Sequence, residues 1–169
     1  MTSIVVYSSK YGSTRQYAEW IAGELSIPVK SFKDAKEGDL AGADTVILGS
    51  SVMVDSLTMK GWIKARWPLL KEKRLILFSV SATLPTDQPA MKAVLEHSMT
   101  PEMIARMQYF PLHGRLVIEK LPFLLRPLMK AIMKSEKGSA DSGAGMSGEF
   151  DGVKQENIAP ILAAVRTRG

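Results

Sequence analysis

No cysteine occurs anywhere in the 169 residues, and histidine occurs only twice. The first absence excludes disulfides, thiolate chemistry and cysteine-ligated zinc or iron–sulfur centres; the second leaves too few imidazoles for a histidine-rich metal site. No metal is expected. Long apolar runs are also missing: Ile4–Tyr7 is too short for a signal-peptide core, and nothing approaches the roughly 20 residues of a membrane span. These absences predict a cytoplasmic protein. Neither G-x-x-x-x-G-K-[ST] nor, after the first apolar run, G-x-G-x-x-G is found, so triphosphate hydrolysis and a dinucleotide fingerprint lack support.

What is present suits one globular domain over residues 1–169, with 46% hydrophobic and 23% charged residues. The net charge of +5 favours anionic partners such as phosphates, lipid head groups or carboxylated substrates; no nucleic-acid partner is expected.

Apolar, β-branched runs ended by small polar residues recur at Ser3–Ser8, Asp44–Gly49 and Arg74–Ser81, with a weaker strand at Pro28–Phe32 and another at Tyr109–Ile118. Helical spacing lies between them, at Thr14–Leu25, Met59–Leu70, Pro89–His97 and Pro101–Met107, and again at Gln155–Val165. Such alternation predicts a parallel sheet with helices on both faces and ligands beyond the carboxyl ends of the strands. The readable ends, Ser8-Ser9, Ser50-Ser51 and Ser81-Ala82-Thr83, are small and uncharged, which excludes a phospho-acceptor receiver domain. The stretch Ser135–Gly152 has five glycines and almost no apolar residues, so it is expected to be a mobile loop.

In Ser9-Lys10-Tyr11-Gly12-Ser13-Thr14, hydroxyls stand at the first, fifth and sixth positions, glycine permits a tight turn, and a helix follows at once. Free helix N–H groups and hydroxyls together suit a phosphate. An ordinary strand-to-helix connection capped by Ser13 or Thr14 is the competing reading.

The hexad resembles the flavodoxin pattern [ST]-x-[TS]-G-x-T: Ser9, Gly12 and Thr14 match, and Tyr11 departs from the usual third hydroxyl. The likeness extends over the strand order and the loop Gly49-Ser50-Ser51-Val52-Met53. It implies a flavodoxin-like α/β three-layer sandwich with a five-stranded parallel sheet of order 2-1-3-4-5. It also implies FMN as cofactor. Ser9, Lys10, Tyr11, Gly12, Ser13 and Thr14 would hold the phosphate, while Ser50, Ser51, Val52, Met53 and Val54, with Ser81, Ala82, Thr83 and Leu84, would border the isoalloxazine ring. Shuttle flavodoxins commonly sandwich the ring between aromatics and are acidic around it; here the candidates are Val52, Met53, Val54 and Leu84, and the chain is basic. The expectation is an accessible flavin whose anionic reduced form is stabilised, favouring two-electron exchange.

The segment of about residues 120–137 is basic and amphipathic. On a helix, Leu121, Leu124, Leu125, Leu128, Met129, Ile132 and Met133 form one stripe, and Arg126, Lys130 and Lys134 another. Two uses are open: core packing with a solvated basic face, or peripheral contact of Leu121–Lys134 with an anionic membrane. With the glycine-rich stretch that follows, LMKAIMK is similar to the flavodoxin-type protoporphyrinogen oxidase family, whose members use FMN to oxidise protoporphyrinogen IX and pass electrons to a membrane quinone. That likeness implies a place at the inner face of the cell membrane.

His97 and His113 lack a partner in motif spacing and are expected to be structural; Trp62 and Trp67 are expected to pack helices. Flavin chemistry needs no dedicated acid or base, so no catalytic side chain is assigned. Three functions remain: an FMN oxidoreductase acting on a quinone, a porphyrinogen or a partner protein; a non-catalytic electron carrier; and a fold relative without flavin.

Overall fold

The structure, a computed structural model, describes residues 2–117, 119, 121–136 and 149–167. Five parallel strands form the sheet: β1 (Ser3–Ser8), β2 (Val29–Ser31), β3 (Thr45–Met53), β5 (Arg74–Ser81) and β6 (Met107–His113), with the short β4 (Ser56–Leu57) between β3 and β5 in sequence. Their order is β2-β1-β3-β5-β6, and β4 turns back antiparallel on the end of β3. Counting only the parallel strands, this is the 2-1-3-4-5 order. Register aligns Val5 with Val29 and Ile47, and Ile47 with Ile76.

The strands carry no polar alternation because both faces are covered, as parallel sheets require. Val5, Ile47, Ile76 and Phe78 point to one side, where α1 (Ser13–Leu25) supplies Tyr17, Ala18 and Ile21 and α7 (Ala159–Arg166) supplies Ile161. Ile4, Val6, Val46, Leu48, Leu75 and Leu77 point to the other side, which is covered by α2 (Glu37–Ala41), α3 (Lys60–Leu70), α4 (Gln88–Ser98) and α5 (Pro101–Ala105). The period of two along each strand thus divides one apolar run between two cores. Gly49 belongs to this pattern: a Cβ there would stand 2.3 Å from Phe78 Cζ, so the glycine makes room for the ring.

Several expected boundaries shift. The third strand does not stop at Gly49 but runs on to Met53, because its last residues leave the parallel ladder and pair with β4. The expected strand Tyr109–Ile118 breaks at Gly114, whose N–H bonds to the Ser81 carbonyl, and resumes as β7 (Arg115–Leu116). The segment Leu121–Lys134 is not one helix. Phe123–Leu125 forms a 3₁₀ turn after Pro122, and α6 (Arg126–Glu136) starts only at Arg126, with Pro127 in its first turn where a missing N–H costs nothing. Of the expected loop Ser135–Gly152, residues 137–148 lie outside the described residues. Its ends are elements: Ser135 and Glu136 close α6, and β8 (Phe150–Asp151) pairs with β7. The final helix begins as a 3₁₀ turn at Gln155–Ile158.

Candidate functional site

A cavity of about 430 Å³ opens beyond the carboxyl ends of β1, β3 and β5. Tyr11, Ser13 and Thr14 line it from the first turn, Ser51, Val52, Met53 and Val54 from the end of β3, and Val80, Ser81 and Ala82 from β5. Its size falls within the range of small-molecule sites.

The phosphate-side geometry follows from Gly12. Its φ of 97° lies in the left-handed region, open to glycine, and a Cβ there would meet no atom within 4 Å. Ser9 Oγ accepts the Gly12 N–H at 3.1 Å, which closes the turn. The 13-residue helix α1 starts immediately afterwards with no side-chain cap and no acidic residue in its first turn. The competing reading of Ser13 or Thr14 as a cap is therefore not what the turn does. Thr14 Oγ1 instead lies 2.8 Å from Ser51 Oγ, which donates to the Ser8 carbonyl at 3.2 Å and so ties the start of α1 to the ends of β1 and β3. Uncapped N–H groups, the helix dipole and the Ser13 hydroxyl converge on this end of the cavity.

The expected residues separate into wall and support. Ser50 is fully buried and does not line the cavity: its hydroxyl accepts the Met59 N–H at 3.1 Å and bonds to the Ser51 carbonyl. Successive strand residues face opposite ways, so only one of Ser50 and Ser51 can reach the site. Ser9, Lys10 and Gly12 shape the turn without lining the cavity, while Thr83 and Leu84 lie just past its wall. The Lys10 ammonium stands 5.8 Å from the Tyr11 ring centroid. Val54, 94% exposed, sits at the rim with φ 48°, and Asp55 follows at φ 54°.

The sequence reading missed half of one wall. Gly114, Arg115, Leu116, Met129 and Phe150 also line the cavity, and Leu116, Leu121 and Met129 form a small apolar cluster with Tyr11 and Phe150 packed on it. The expectation of a purely aliphatic surround is corrected: Tyr11 and Phe150 are aromatic wall residues, and Phe150 stacks on His113 with centroids 4.9 Å apart and planes 6° from parallel. Phe150 went unseen because it lies in a glycine-rich stretch. Among the described residues, Arg115 is the one charged side chain of the wall, and its Nε pairs with Asp151 at 2.8 Å.

The return of the chain is fixed by a buried network. Tyr17 O–H donates to the His113 carbonyl at 2.8 Å and bonds to the Gly152 carbonyl at 3.2 Å, while Asn157 Nδ2 donates to Tyr17 Oη and to the Gly152 carbonyl. Burial pushes the Tyr17 phenol up, so it remains a donor through neutral pH. His113 Nε2 lies 3.2 Å from the Ala82 carbonyl, a structural contact, and His97 is exposed on α4. Trp62 and Trp67 pack against the α2–α5 core, with the Arg66 guanidinium 4.6 Å from the Trp62 ring.

A doubly wound parallel sheet with an anion-ready helix N-terminus at the head of an apolar cleft defines a nucleotide-type cofactor domain. The chain belongs to the flavodoxin domain family, whose profile matches residues 4–143. No curated protein sequence matches it. Its fold is similar to that of oxidised Flavodoxin 1 from Bacillus cereus, with TM-score 0.50 and 18% identity over 67% of this chain and 84% of that one. It is also similar to two-electron reduced Megasphaera elsdenii flavodoxin, with TM-score 0.51 and 18% identity over 65% and 82%.

Family membership gives FMN as the cofactor. The residues present fit it: the uncapped α1 N-terminus with Gly12 provides an anion cradle, and Val52, Met53, Leu116, Met129 and Phe150 provide an apolar wall for a flat ring.

Proposed function

We propose that the protein is an FMN-dependent oxidoreductase that exchanges electrons, through the bound flavin, with a quinone as acceptor, a porphyrinogen as donor, or a partner protein. The observation that carries this reading is the cavity itself, in which a phosphate cradle and an apolar, sheltered wall meet in one cleft. FMN supplies the redox chemistry when bound; the chain supplies binding and electrostatics. Turn 9–14 would anchor the phosphate end, Val52 and Met53 would exclude water from the ring, and Arg115, held by Asp151, would give the wall a fixed polar edge. The chain's +5 charge is in keeping with an anionic reduced flavin and two-electron exchange.

A small lipophilic acceptor is favoured over a purely protein partner because most of the cavity wall is apolar and Val54 stands exposed at its rim. Protoporphyrinogen oxidation is the second reading, supported by Lys130 and Lys134 on the helix that carries Met129: an apolar, carboxylated macrocycle needs both an apolar wall and nearby cations.

The test is purification without added flavin, a visible spectrum, and identification of the released chromophore. Stoichiometric FMN, followed by reoxidation of the photoreduced protein by quinone under anaerobic conditions, supports the reading. Failure to bind FMN in titration removes it. Reoxidation only by a protein acceptor reduces the protein to a carrier.

A further inference from the structure

Six of the residues from Lys60 to Arg74 are cationic and only Glu72 is acidic, a local excess equal to the net +5 of the whole chain. The fold sorts these cations into two groups. Arg66 lies on the Trp62 ring at 4.6 Å, Lys73 donates to the Ala41 carbonyl at 2.9 Å, and Arg74 donates to the carbonyls of Ala164 and Val165. Lys60, Lys64 and Lys71 remain. All three are exposed, and among the described residues no carboxylate pairs with their ammonium groups. On α3, positions 60, 64 and 71, the last being the helical C-cap, fall on one stripe that spans about 16 Å. Gly61, Ala65 and Pro68, also exposed, run beside it, so no large apolar side chain stands out from this face. Glu72 next to Lys71 and Asp55 ahead of β4 are the acids nearest in the chain, and they leave the stripe positive.

The stripe begins at the cofactor cavity. Thr58 N–H donates to the Ser51 carbonyl at 2.9 Å and Met59 N–H to the Ser50 hydroxyl at 3.1 Å, which ties the start of α3 to the end of β3, where Ser51, Val52, Met53 and Val54 line the cavity. Lys60 follows directly as the first residue of α3, and the first turn of that helix holds no acidic residue. A cation at the positive end of a helix dipole works against the stability of the free chain. An anionic surface brought against Lys60 relieves that cost, so the placement serves binding.

We propose that this stripe is a docking face for an acidic redox protein, which it seats beside the Val52–Val54 edge of the cofactor cavity. Carboxylates of the partner pair with Lys60, Lys64 and Lys71, and the small residues alongside let its surface approach closely. A protein fits this face better than lipid or nucleic acid. The exposed large apolar residues all lie off α3, so the face has nothing to insert into a bilayer. Three lysines also supply fewer phosphate contacts than the roughly six to ten of a DNA-binding face. Complementary charge of this kind acts chiefly on the rate of association and makes it sensitive to salt. Docking of an acidic protein stands without the redox reading; the redox character of that partner rests on it.

The experiment is calorimetric titration of the full chain, with and without FMN, against two protein probes, an acidic plant-type iron–sulfur ferredoxin and the basic cytochrome c. At about 20 mM salt the ferredoxin binds and cytochrome c does not; at about 200 mM salt, where exposed charges are screened, ferredoxin binding is at least about tenfold weaker. Lys60→Gln combined with Lys64→Gln and Lys71→Gln weakens it about tenfold at low salt, since each exposed pair contributes roughly two- to threefold. Lys154→Gln with Arg166→Gln, exposed on the side of the sheet that α7 covers, changes it by less than about twofold. Circular dichroism checks that each variant stays folded. Binding indifferent to salt, equal binding of the two probes, or unchanged binding of the folded triple variant overturns the proposal, as does tighter binding to anionic vesicles or duplex DNA than to ferredoxin. Ferredoxin binding by protein that fails to hold FMN supports the docking face while removing the redox reading; FMN retention without ferredoxin binding does the reverse.

Discussion

The central sheet and the segment inserted between Gly114 and Gly152 treat their apolar residues differently. In the sheet, Val5, Val6, Ile47, Leu48, Ile76 and Phe78 are fully enclosed between two helical layers. In the insert, Leu116, Leu121 and Met129 are enclosed, while Phe123, Leu124 and Leu128 stand in solvent. The sheet is a complete core that holds itself together by burial. The insert has apolar surface to spare, and it spends its buried portion on one wall of the cavity. Scaffold and specificity thus reside in separate parts of one chain, joined at the Gly152 N–H bond to the Gly114 carbonyl.

The sharpest break of this comparison is a matched pair of truncations. Phe78→Ala leaves a void beside Gly49 and is expected to cost about 3–5 kcal/mol, whereas Leu124→Ala changes stability by less than about 0.5 kcal/mol. Urea unfolding midpoints measure both; a comparable loss at Leu124 would mean that the insert is part of the core. Next in size is the joint between the regions. A Cβ at position 152 would stand 2.0 Å from His113 Nδ1, so Gly152→Ala must displace the ring that stacks on Phe150. About 1–3 kcal/mol is expected, with weaker FMN binding in titration because Phe150 and Arg115 move with the joint.

Tyr17→Phe keeps the ring packed under the sheet but removes the donor to the His113 and Gly152 carbonyls and the acceptor for Asn157. A loss of about 1–2 kcal/mol is expected, read again from urea midpoints. An unchanged midpoint would show that the joint is held by the backbone alone.

These parts were unequally legible in the sequence. The sheet was readable because a parallel strand buried on both faces must be apolar at successive positions, and Ile4–Tyr7, Val46–Leu48 and Leu75–Phe78 are. The tight turn and the start of α1 were readable because Gly12 tolerates the positive φ that so sharp an entry into a helix requires. Ser50 was misassigned to the site because the strand runs on past Gly49, and a side chain's face depends on where its strand ends. The insert was read least well. Its wall residues are separated by residues 137–148, and Phe150 joins Leu116 only through an antiparallel pair that no local periodicity announces.

The rim of the cavity offers a smaller effect of opposite sign. Val54 and Asp55 are the central residues of a two-residue hairpin turn between Met53 and Ser56, both at positive φ. Such turns favour Asn-Gly, and a β-branched residue there is strained. Val54→Asn with Asp55→Gly is expected to raise stability by up to about 1 kcal/mol, measured by urea unfolding. No gain would show that the β3–β4 strand pair, and not the turn residues, sets the stability of this corner.

The smallest effect distinguishes the two ends of the sheet. At the end away from the cavity, the Asp44 carboxylate accepts the Thr2 N–H at 2.8 Å and the Thr2 hydroxyl at 3.2 Å; these bonds hold its pKa below the ordinary carboxylate value. Asp39 is held low likewise, first by its bond from the Lys30 ammonium at 2.8 Å and then by the Lys36 N–H. A depressed folded pKa contributes stability that is present above the unfolded value and disappears as pH falls through the folded one. The protein should therefore lose stability on acidification below the ordinary carboxylate range, and the loss should be small because Asp44 is exposed and Asp39 only partly buried, so solvent screens both. Asp44→Asn should flatten the acid limb of the urea midpoint against pH without altering FMN affinity at neutral pH. If FMN binding weakened as well, the far end of the sheet would be coupled to the cavity, and the division between scaffold and site would have to be redrawn.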